Sequence, residues 1–235
     1  MLPTDFSALV ASRRSTRDFT DRTVPDSVLE EILADAAAAP SWSNTRPYML
    51  GLAVGEDART LTDAYCALFD AYTAARAAGT EPPAPDGDFA VWARYPDDLR
   101  PRSVELGLAL YETLGIERGD RAARDAWTRR NFEAFGASVV GLVYVHEALL
   151  PFSALDAGIM FSTLALAAKA RCVDSCPLGN LAVWRTPGDR MFDVPDAYRL
   201  VTGFALGYAS DAPVNSFAAA RRPVALAPRR NGEGE

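Results

Sequence analysis

The spacing of apolar residues along the chain predicts a mixture of helices and strands. From 25 to 40 these residues fall at helical intervals, with Pro25 in the first turn and Pro40 just beyond the end. The same spacing predicts a short helical stretch ending near Arg13 and helices over 57–78, around 104–116, over 120–135 and over 155–170. Continuous apolar runs predict strands at 48–55, 138–145 and 200–208. Since these elements follow no regular βαβ order and no period repeats, the predicted fold class is α+β.

Two stretches fall outside this pattern. The segment "GTEPPAPDGD" (79–88) is expected to be a proline-rich surface connection, because no independent core precedes it. The tail that begins at Asp211 has too little apolar material to fold alone, so it must pack on a formed core or on another subunit. We therefore expect a single domain over 1–235, with a helical insertion at 79–131 and an extended tail at 211–235.

Composition argues against several classes of protein. The formal net charge of −7 and the isoelectric point of about 4.9 disfavour nucleic acid as a partner. No stretch resembles the roughly 20 apolar residues of a membrane span, and no signal peptide is apparent, so no membrane association is expected. Three cysteines, Cys66, Cys172 and Cys176, suit a reducing compartment better than a disulfide framework, and we expect a cytoplasmic protein.

The chain shows few conventional catalytic or metal-binding patterns. His146, the only histidine, ends an apolar run, and no G-x-S-x-G elbow accompanies it. Cys172 and Cys176 lack further ligands at metal spacing, so we expect small buried thiols and no metal site. No G-x-G-x-x-G follows a strand, and Gly203 and Gly207 are instead expected to permit close packing in the last strand. The chain is therefore either not an enzyme or one in which a bound cofactor carries the chemistry.

The stretch "SRRSTRDF" concentrates positive charge near the N-terminus of this acidic chain. Arg13, Arg14 and Arg17 surround Ser15, and guanidiniums so close repel one another unless an anion lies among them. A solvated basic helix end would explain the cluster, and so would a phosphate site made of arginine and serine donors. Lys169 is the only lysine among 24 basic residues, so a single arginine carries little information here, and both interpretations stay open.

Five separated segments together resemble one family. The stretch "SRRSTRDF" is similar to the R-R-S-x-R-x-F opening of FMN-dependent nitroreductases, and "AAAAPSWSNTRPYML" resembles their A-P-S-x-x-N-x-Q-P-W loop. The remaining three resemble the entry to the central strand, the core helix with its following loop, and the last strand with an arginine-bearing tail: "NFEAFGASVVGLVYV", "DAGIMFSTLALAAKARCVDSCPLGN" and "VTGFALGYASDAPVNSFAAARRPV". The resemblance spans about residues 7–225, and the 80–131 insertion with "APVNSF" points to the nitrobenzoate-reductase-like branch.

This resemblance implies a nitroreductase-like fold and an FMN site. The fold would have a mostly antiparallel central sheet flanked by helices and a C-terminal extension that wraps the partner subunit. Arg13, Arg14 and Ser15 would hold the phosphate and ribityl chain of FMN, and Arg221 and Arg222 would close on the phosphate from the tail.

The same resemblance assigns contacts to the flavin ring. Arg17 would reach the pyrimidine edge, where Asn131 also bonds, and Leu178 with Gly179 would present a backbone amide to flavin N5. The loop contacting the flavin from the second subunit of a homodimer would comprise Pro40, Ser41, Trp42 and Asn44.

The activity implied is that of an NAD(P)H-dependent oxidoreductase that reduces nitroaromatics, quinones or similar small electron-poor acceptors. No side chain of the protein would be catalytic, because hydride would pass through flavin N5, with donor and acceptor binding in turn in a ping-pong sequence. Arg46 replaces the family's usual Gln and Tyr48 its usual Trp, which affects substrate and pyridine-nucleotide preference more than flavin binding. Ene-reduction, dehalogenation or oxidase chemistry on the same scaffold, or a flavin-binding module without activity, are the alternatives.

Overall fold

The computed structural model describes residues 2–227, which form a four-stranded antiparallel sheet with seven α-helices around it. The strands are β1 (Tyr48–Val54), β2 (Val139–His146), β3 (Asp174–Leu178) and β4 (Tyr198–Gly207), in the spatial order β1-β2-β4-β3. The helices are α1 (Pro3–Ser12), α2 (Asp26–Ala37), α3 (Glu56–Ala78), α4 (Arg100–Thr113), α5 (Arg121–Phe132), α6 (Phe152–Ala170) and α7 (Thr186–Met191). The predicted α+β class with an antiparallel sheet is confirmed.

Strand β2 explains why the core covers both faces of the sheet. Every residue of this strand except His146 is buried, and successive side chains point to opposite faces. Leu142 and Tyr144 join an apolar cluster with α3 and α5, whereas Val139 and Val143 join a second cluster with α2 and α6. The sheet therefore lies between two layers of helices, and its central strands are fully covered.

The glycines of the last strand permit close packing, as the sequence predicts. A Cβ built on Gly203 would lie 2.7 Å from Cδ1 of Leu181, and one on Gly207 would lie 2.8 Å from Cδ1 of Phe19. The second contact matters for the arginine-rich stretch, because Phe19 anchors its end against β4.

Two expectations from the sequence are wrong. The stretch after α6, expected to be a loop, contains strand β3, which pairs with β4 at the edge of the sheet. This strand is short and contains Pro177, which an edge strand tolerates because one side of its backbone needs no partner strand. Cys172, expected to be a buried thiol, is exposed in the turn before β3 with φ of +58°, whereas Cys176 is buried as expected.

Helix α6 is more apolar than the sequence analysis expects of any segment of this chain. By length and composition alone it could cross a membrane, with 19 residues and a mean hydropathy of 1.2. In this fold it packs against α2 and the sheet and buries side chains such as Met160 and Leu164. It is a core helix here.

Two aspartates fasten the proline-rich connection to the body of the protein. Asp86 accepts a hydrogen bond from the backbone N–H of Arg185 at 2.6 Å. Asp88 accepts from Nη1 of the same arginine at 2.9 and 3.1 Å and from the backbone N–H of Leu200 at 2.7 Å. The Asp88–Arg185 ion pair is largely buried, with side chains only 12% and 15% exposed. These contacts define the Asp86–Asp88 latch.

Gly87→Ala is expected to destabilise the fold. A Cβ at this position would lie 2.1 Å from the carbonyl oxygen of Ala182, and Gly87 already donates its N–H to the oxygen of Val183 at 3.0 Å. The backbone must move to relieve this contact, which costs about 1–3 kcal/mol and lowers Tm by roughly 2–12 °C in circular dichroism melts.

Gly107→Ala is the matched control. Gly107 lies in α4 with no atom within 4 Å of its Cβ position, so alanine there is expected to keep or raise Tm through its better helix propensity. Equal melting temperatures for the two variants would contradict a tight latch.

Candidate functional site

The arginine segment, residues 13–19, runs in extended form along the outer edge of β3. The N–H of Thr16 donates to the carbonyl oxygen of Ser175 at 3.0 Å, and Ser15 pairs with Ser175 in a parallel bridge. Successive side chains of an extended segment point to opposite sides. The two sets are Arg13, Ser15 and Arg17 on one side and Arg14, Thr16 and Asp18 on the other.

Asp18 and Asn215 hold this segment in place, and we call the pair the Asp18–Asn215 clamp. Oδ1 of Asn215 accepts from the N–H of Arg17 at 2.9 Å, while its Nδ2 donates to the carbonyl oxygen of Asp18 at 2.7 Å. The carboxylate of Asp18 accepts from Arg130 of α5 at 2.8 Å and from the hydroxyl of Ser210 at 2.5 Å. The clamp thereby joins the arginine segment to α5 and to the chain that follows β4.

The positive charge of Arg13 interacts with that of a second arginine, Arg221 of the tail. Burial, and next the neighbouring guanidinium of Arg221, lower the pKa of Arg13. Burial raises the pKa of the Cys176 thiol to about 11, although the positive charges of Arg17 and Arg13 both act to lower it. Within residues 2–227, Arg13, Arg17 and Arg221 take part in no salt bridge.

A buried hydroxyl lies in the strand beside the arginine segment. Ser175 is 2% exposed, and its Oγ has no hydrogen-bond partner among the described residues. A buried polar group without a partner is unfavourable, as is a group of like charges without a counter-charge. The site therefore offers what a phosphate requires, namely uncompensated positive charge and free donors.

Two of the arginines predicted to bind the phosphate have protein partners in this structure. Arg14 donates from Nη1 to the backbone oxygen of Asn215 at 3.1 Å and lines a polar pocket with Lys169 on the other side of the segment. Arg222 forms an ion pair with Glu105 of α4 at 2.5 Å, and both side chains are exposed. The structure thus separates Arg14 and Arg222 from the guanidiniums of Arg13, Arg17 and Arg221.

Helix α5 and the turn after β3 bring further predicted residues to this side of the fold. The helix is tied to the arginine segment through Arg130 and packs on the turn at 179–182. Asn131, half-buried in its last turn, donates its side-chain amide to backbone oxygens of the same helix at 3.2 and 3.4 Å. Leu178 is buried, whereas Gly179 is exposed with no atom within 4 Å of its Cβ position, so a ligand could approach its backbone.

The other predicted contacts form the 40–46 loop, which sits on the N-terminal part of α6. The N–H of Trp42 donates to the carboxylate of Asp156, a buried residue of α6, at 3.1 Å. The Trp42 ring packs on Phe152 with ring centroids 4.1 Å apart, yet remains 57% exposed. Oγ of Ser41 accepts from the N–H of Arg46 at 3.0 Å, which closes the loop on itself. Pro40, at its start, is exposed.

The backbone of this loop is strained. Ser43, Asn44 and Arg46 have φ of +51°, +55° and +48°, in the left-handed region that favours glycine. Each such residue costs about 1–2 kcal/mol, so the conformation persists only where surrounding contacts impose it. The bond to Asp156 is one of those contacts.

Within one chain the 40–46 loop and the arginine segment lie at opposite ends of α6. Asp156 holds the loop, and Lys169, near Arg14, lies thirteen residues further along the helix. At 1.5 Å per residue the separation is about 20 Å. A single chain therefore carries two distant halves of the predicted site.

His146 is a structural residue at the end of β2. Its Nδ1 accepts a hydrogen bond from the N–H of Ala148 at 3.3 Å, and its ring meets Tyr198 edge-on at 5.3 Å. No group of three or more His, Cys, Asp or Glu side chains that could hold a metal ion occurs in the part of the chain from 2 to 227.

Sequence reasoning missed the residues that organise the site. Asp18 and Asn215 are 197 positions apart, so no local pattern connects them. Ser175 lies in the strand that was expected to be a loop. Asp156 did leave a signal, because it is the only acidic residue within the apolar stretch of α6, and a buried carboxylate requires a partner.

Comparison with known proteins supports one assignment. A family model described as the nitroreductase family matches residues 10–208. The chain is 33% identical over 222 residues to the 4-nitrobenzoate reductase of Pseudomonas putida, covering 92% of this chain and 91% of that protein. It is 30% identical over 222 residues to the 4-nitrobenzoate reductase of Nocardioides sp. (strain LMS-CY), covering 93% and 87%. The crystal structure of the FMN-dependent nitroreductase NfnB from Mycobacterium smegmatis in complex with NADPH matches with a TM-score of 0.82 at 27% identity, covering 95% of this chain and 96% of that one.

Asp156→Ala is expected to release the 40–46 loop, whereas Asp156→Asn is not. Alanine removes the acceptor of the Trp42 N–H, while asparagine keeps an oxygen in its place. A hydrogen bond to a charged group contributes about 1.5–3 kcal/mol, so exchange of the Trp42 amide should become roughly ten- to a hundredfold faster in the alanine variant. Hydrogen–deuterium exchange followed by mass spectrometry measures this, and unchanged protection of the loop in Asp156→Ala would show that other contacts hold it.

Proposed function

The chain belongs to the nitroreductase family, and on that premise we propose that it is an FMN-dependent oxidoreductase that reduces nitroaromatic compounds with electrons from NADPH or NADH. The observation that carries this proposal is the arginine segment beside β3, where Arg13 and Arg17, like Arg221 of the tail, take part in no salt bridge among the described residues. We thereby favour a phosphate site over a solvated basic helix end as the reason for the arginine cluster.

The phosphate of FMN fits the charge and donors of this site. A phosphate monoester carries a charge of about −1.5 to −2 at neutral pH and offers three acceptor oxygens. Arg13 and Arg221 would donate to it, and the bound charge would offset both the burial and the repulsion from Arg221 that lower the pKa of Arg13. Ser15, in the same segment as Arg13, would supply a hydroxyl donor.

The remaining residues on this side would position the flavin ring. When bound, FMN supplies two-electron hydride transfer, which the side chains of this protein cannot provide. Arg17 would place a fixed positive charge at the pyrimidine edge, where Asn131 would also hydrogen-bond. Leu178 would support the ring from the core, and the exposed backbone of Gly179 would approach N5.

A homodimer would complete the site. The 40–46 loop lies about 20 Å from the arginine segment along α6 of its own chain, so Pro40, Ser41, Trp42 and Asn44 would reach the flavin held by a second copy. Two neighbouring helices and the turn between β2 and α6 also present exposed apolar side chains that a second copy would cover: Leu2, Phe6, Val10, Leu149, Leu150, Phe152 and Leu155. The tail from Asp211 would wrap that partner. Its residues 228–235 lie outside the described part of the chain.

Donor and acceptor would use the same face of the site in turn. The chain has no dinucleotide motif besides this site, and the family resemblance points to a shared position for both. Nitroaromatic acids such as 4-nitrobenzoate are the first acceptors to test, because two similar proteins are 4-nitrobenzoate reductases. The cytoplasmic location stays a prediction, supported by Cys66, Cys172 and Cys176, which are all free thiols.

The purified protein is expected to be yellow, to release about one FMN per chain and to be a dimer. The absorbance spectrum, chromatography of the released cofactor and light scattering measure these properties. Arg13→Ala should weaken FMN binding about tenfold or more, since each charge-assisted bond contributes about 1.5–3 kcal/mol.

Arg59→Ala is the matched control for this loss. Arg59 is an exposed arginine of α3 paired with Glu56, so its removal should leave FMN affinity unchanged. A colourless protein that takes up no added FMN, or equal affinities in the two variants, would contradict the proposed phosphate site.

Initial rates with NADPH and 4-nitrobenzoate, both concentrations varied, are expected to give parallel double-reciprocal lines. Two substrates that occupy one position must exclude each other, so each should also inhibit competitively against the other. Intersecting lines would mean that donor and acceptor bind together, and the shared position would then be abandoned.

A further inference from the structure

A hydrogen bond from Trp92 fixes the orientation of the Asn180 side chain, which follows Gly179 in the chain. Nε1 of Trp92 donates to Oδ1 of Asn180 at 3.1 Å. An indole N–H can only donate, so the oxygen of the Asn180 amide must face Trp92 and the NH₂ group must point away from it. This contact therefore leaves the NH₂ group of Asn180, and not its oxygen, available to another partner.

The tryptophan that sets this orientation is itself held firmly. Its ring packs against the buried Trp184 at 5.4 Å and against Tyr72 at 5.1 Å, measured between centroids. The Asp86–Asp88 latch fixes the chain just before it to Arg185 and to β4. Trp92 is thus a fixed part of the fold, and the amide of Asn180 is preorganised.

The NH₂ group of Asn180 is a free donor. Among residues 2–227 no protein oxygen accepts from Nδ2 of Asn180, and the residue is half-buried. Phe89 and Trp92 are each 41% exposed, and they line a pocket of about 420 Å³ together with Val183, three residues beyond Asn180 in the chain. This volume lies in the range of small-molecule sites, which combine apolar walls with a few fixed polar groups.

We propose that Asn180 is a specificity-determining residue that donates from Nδ2 to an oxygen of the aromatic acceptor, in a nitro or carboxylate group. Phe89 and Trp92 would contact the ring of the acceptor. This inference rests on the proposed function, because it takes Gly179, the preceding residue, to lie at the flavin. Nitro and carboxylate oxygens both accept hydrogen bonds. Ligands that carry only one of these groups show which of them Asn180 binds.

The test uses the FMN-loaded protein and Asn180→Asp, with benzoate, nitrobenzene and 4-nitrobenzoate as probes. Aspartate keeps an oxygen for Trp92 but replaces the free donor with an acceptor. Benzoate cannot be reduced, so its Kd is read without turnover from the change it causes in flavin absorbance. This Kd is expected to rise about tenfold or more, and the KM for 4-nitrobenzoate should rise with it.

Three further variants separate positioning from folding. Asn180→Leu removes the donor without adding charge and should raise the KM for nitrobenzene about threefold if the nitro group is the partner. Trp92→Phe keeps a ring but frees the amide to turn, so it should weaken benzoate binding less than Asn180→Asp does. Trp127→Phe, a matched change in α5, should leave the Kd for benzoate unchanged.

The outcomes are distinct. A change with benzoate alone assigns the donor to the carboxylate, and a change with nitrobenzene assigns it to the nitro group. Unchanged Kd and KM values in both Asn180 variants, with FMN bound as in the parent protein, would overturn the role of Asn180. Failure of the parent protein to bind FMN would instead overturn the proposed function.

Discussion

The Asp18–Asn215 clamp is the interaction on which the candidate site depends. A segment with Arg13, Arg14 and Arg17 in five positions would repel itself and gain little from β3, which among the described residues accepts one backbone hydrogen bond from it. The clamp supplies the additional bonds that hold the segment against this repulsion. Asn215 bonds the backbone on both sides of the Arg17–Asp18 peptide, and Asp18 offers a half-buried carboxylate to Arg130. Once the backbone is fixed, the alternation of an extended chain decides where each guanidinium points.

Because of that alternation, neighbouring arginines that look alike in the sequence have different surroundings in the fold. Arg14 donates to a backbone oxygen on the polar side of the segment, whereas Arg13 has no salt-bridge partner among the described residues, and burial and the charge of Arg221 lower its pKa. Arg222, next to Arg221 in the chain, finds Glu105 instead. Exposed pairs such as Arg222–Glu105 contribute little to stability, but they determine which guanidiniums remain uncompensated. Positive charge held without a partner is what makes the site suited to an anion.

The length of α6 sets the second constraint. One end of the helix, through Asp156, imposes a strained conformation on the 40–46 loop, and the other end adjoins the arginine segment. Because the helix is rigid, the two regions stay about 20 Å apart within one chain. This separation is the geometric reason for the proposed homodimer.

The sequence by itself determined most of the secondary structure and the identity of the charged cluster, because periodicity and composition are local properties. Helices α2, α3 and α6 and strands β1, β2 and β4 lie where the apolar spacing predicts them. It did not reveal β3, whose five residues contain a proline and form a strand only because β4 lies beside them. Nor could it show that Asp18 bonds Asn215, that Asp156 holds Trp42, or that Trp92 orients Asn180, since these partners are 88 to 197 positions apart. Tertiary structure decided which arginine is paired and which is free, because that depends on neighbours brought together only when the sheet and helices pack.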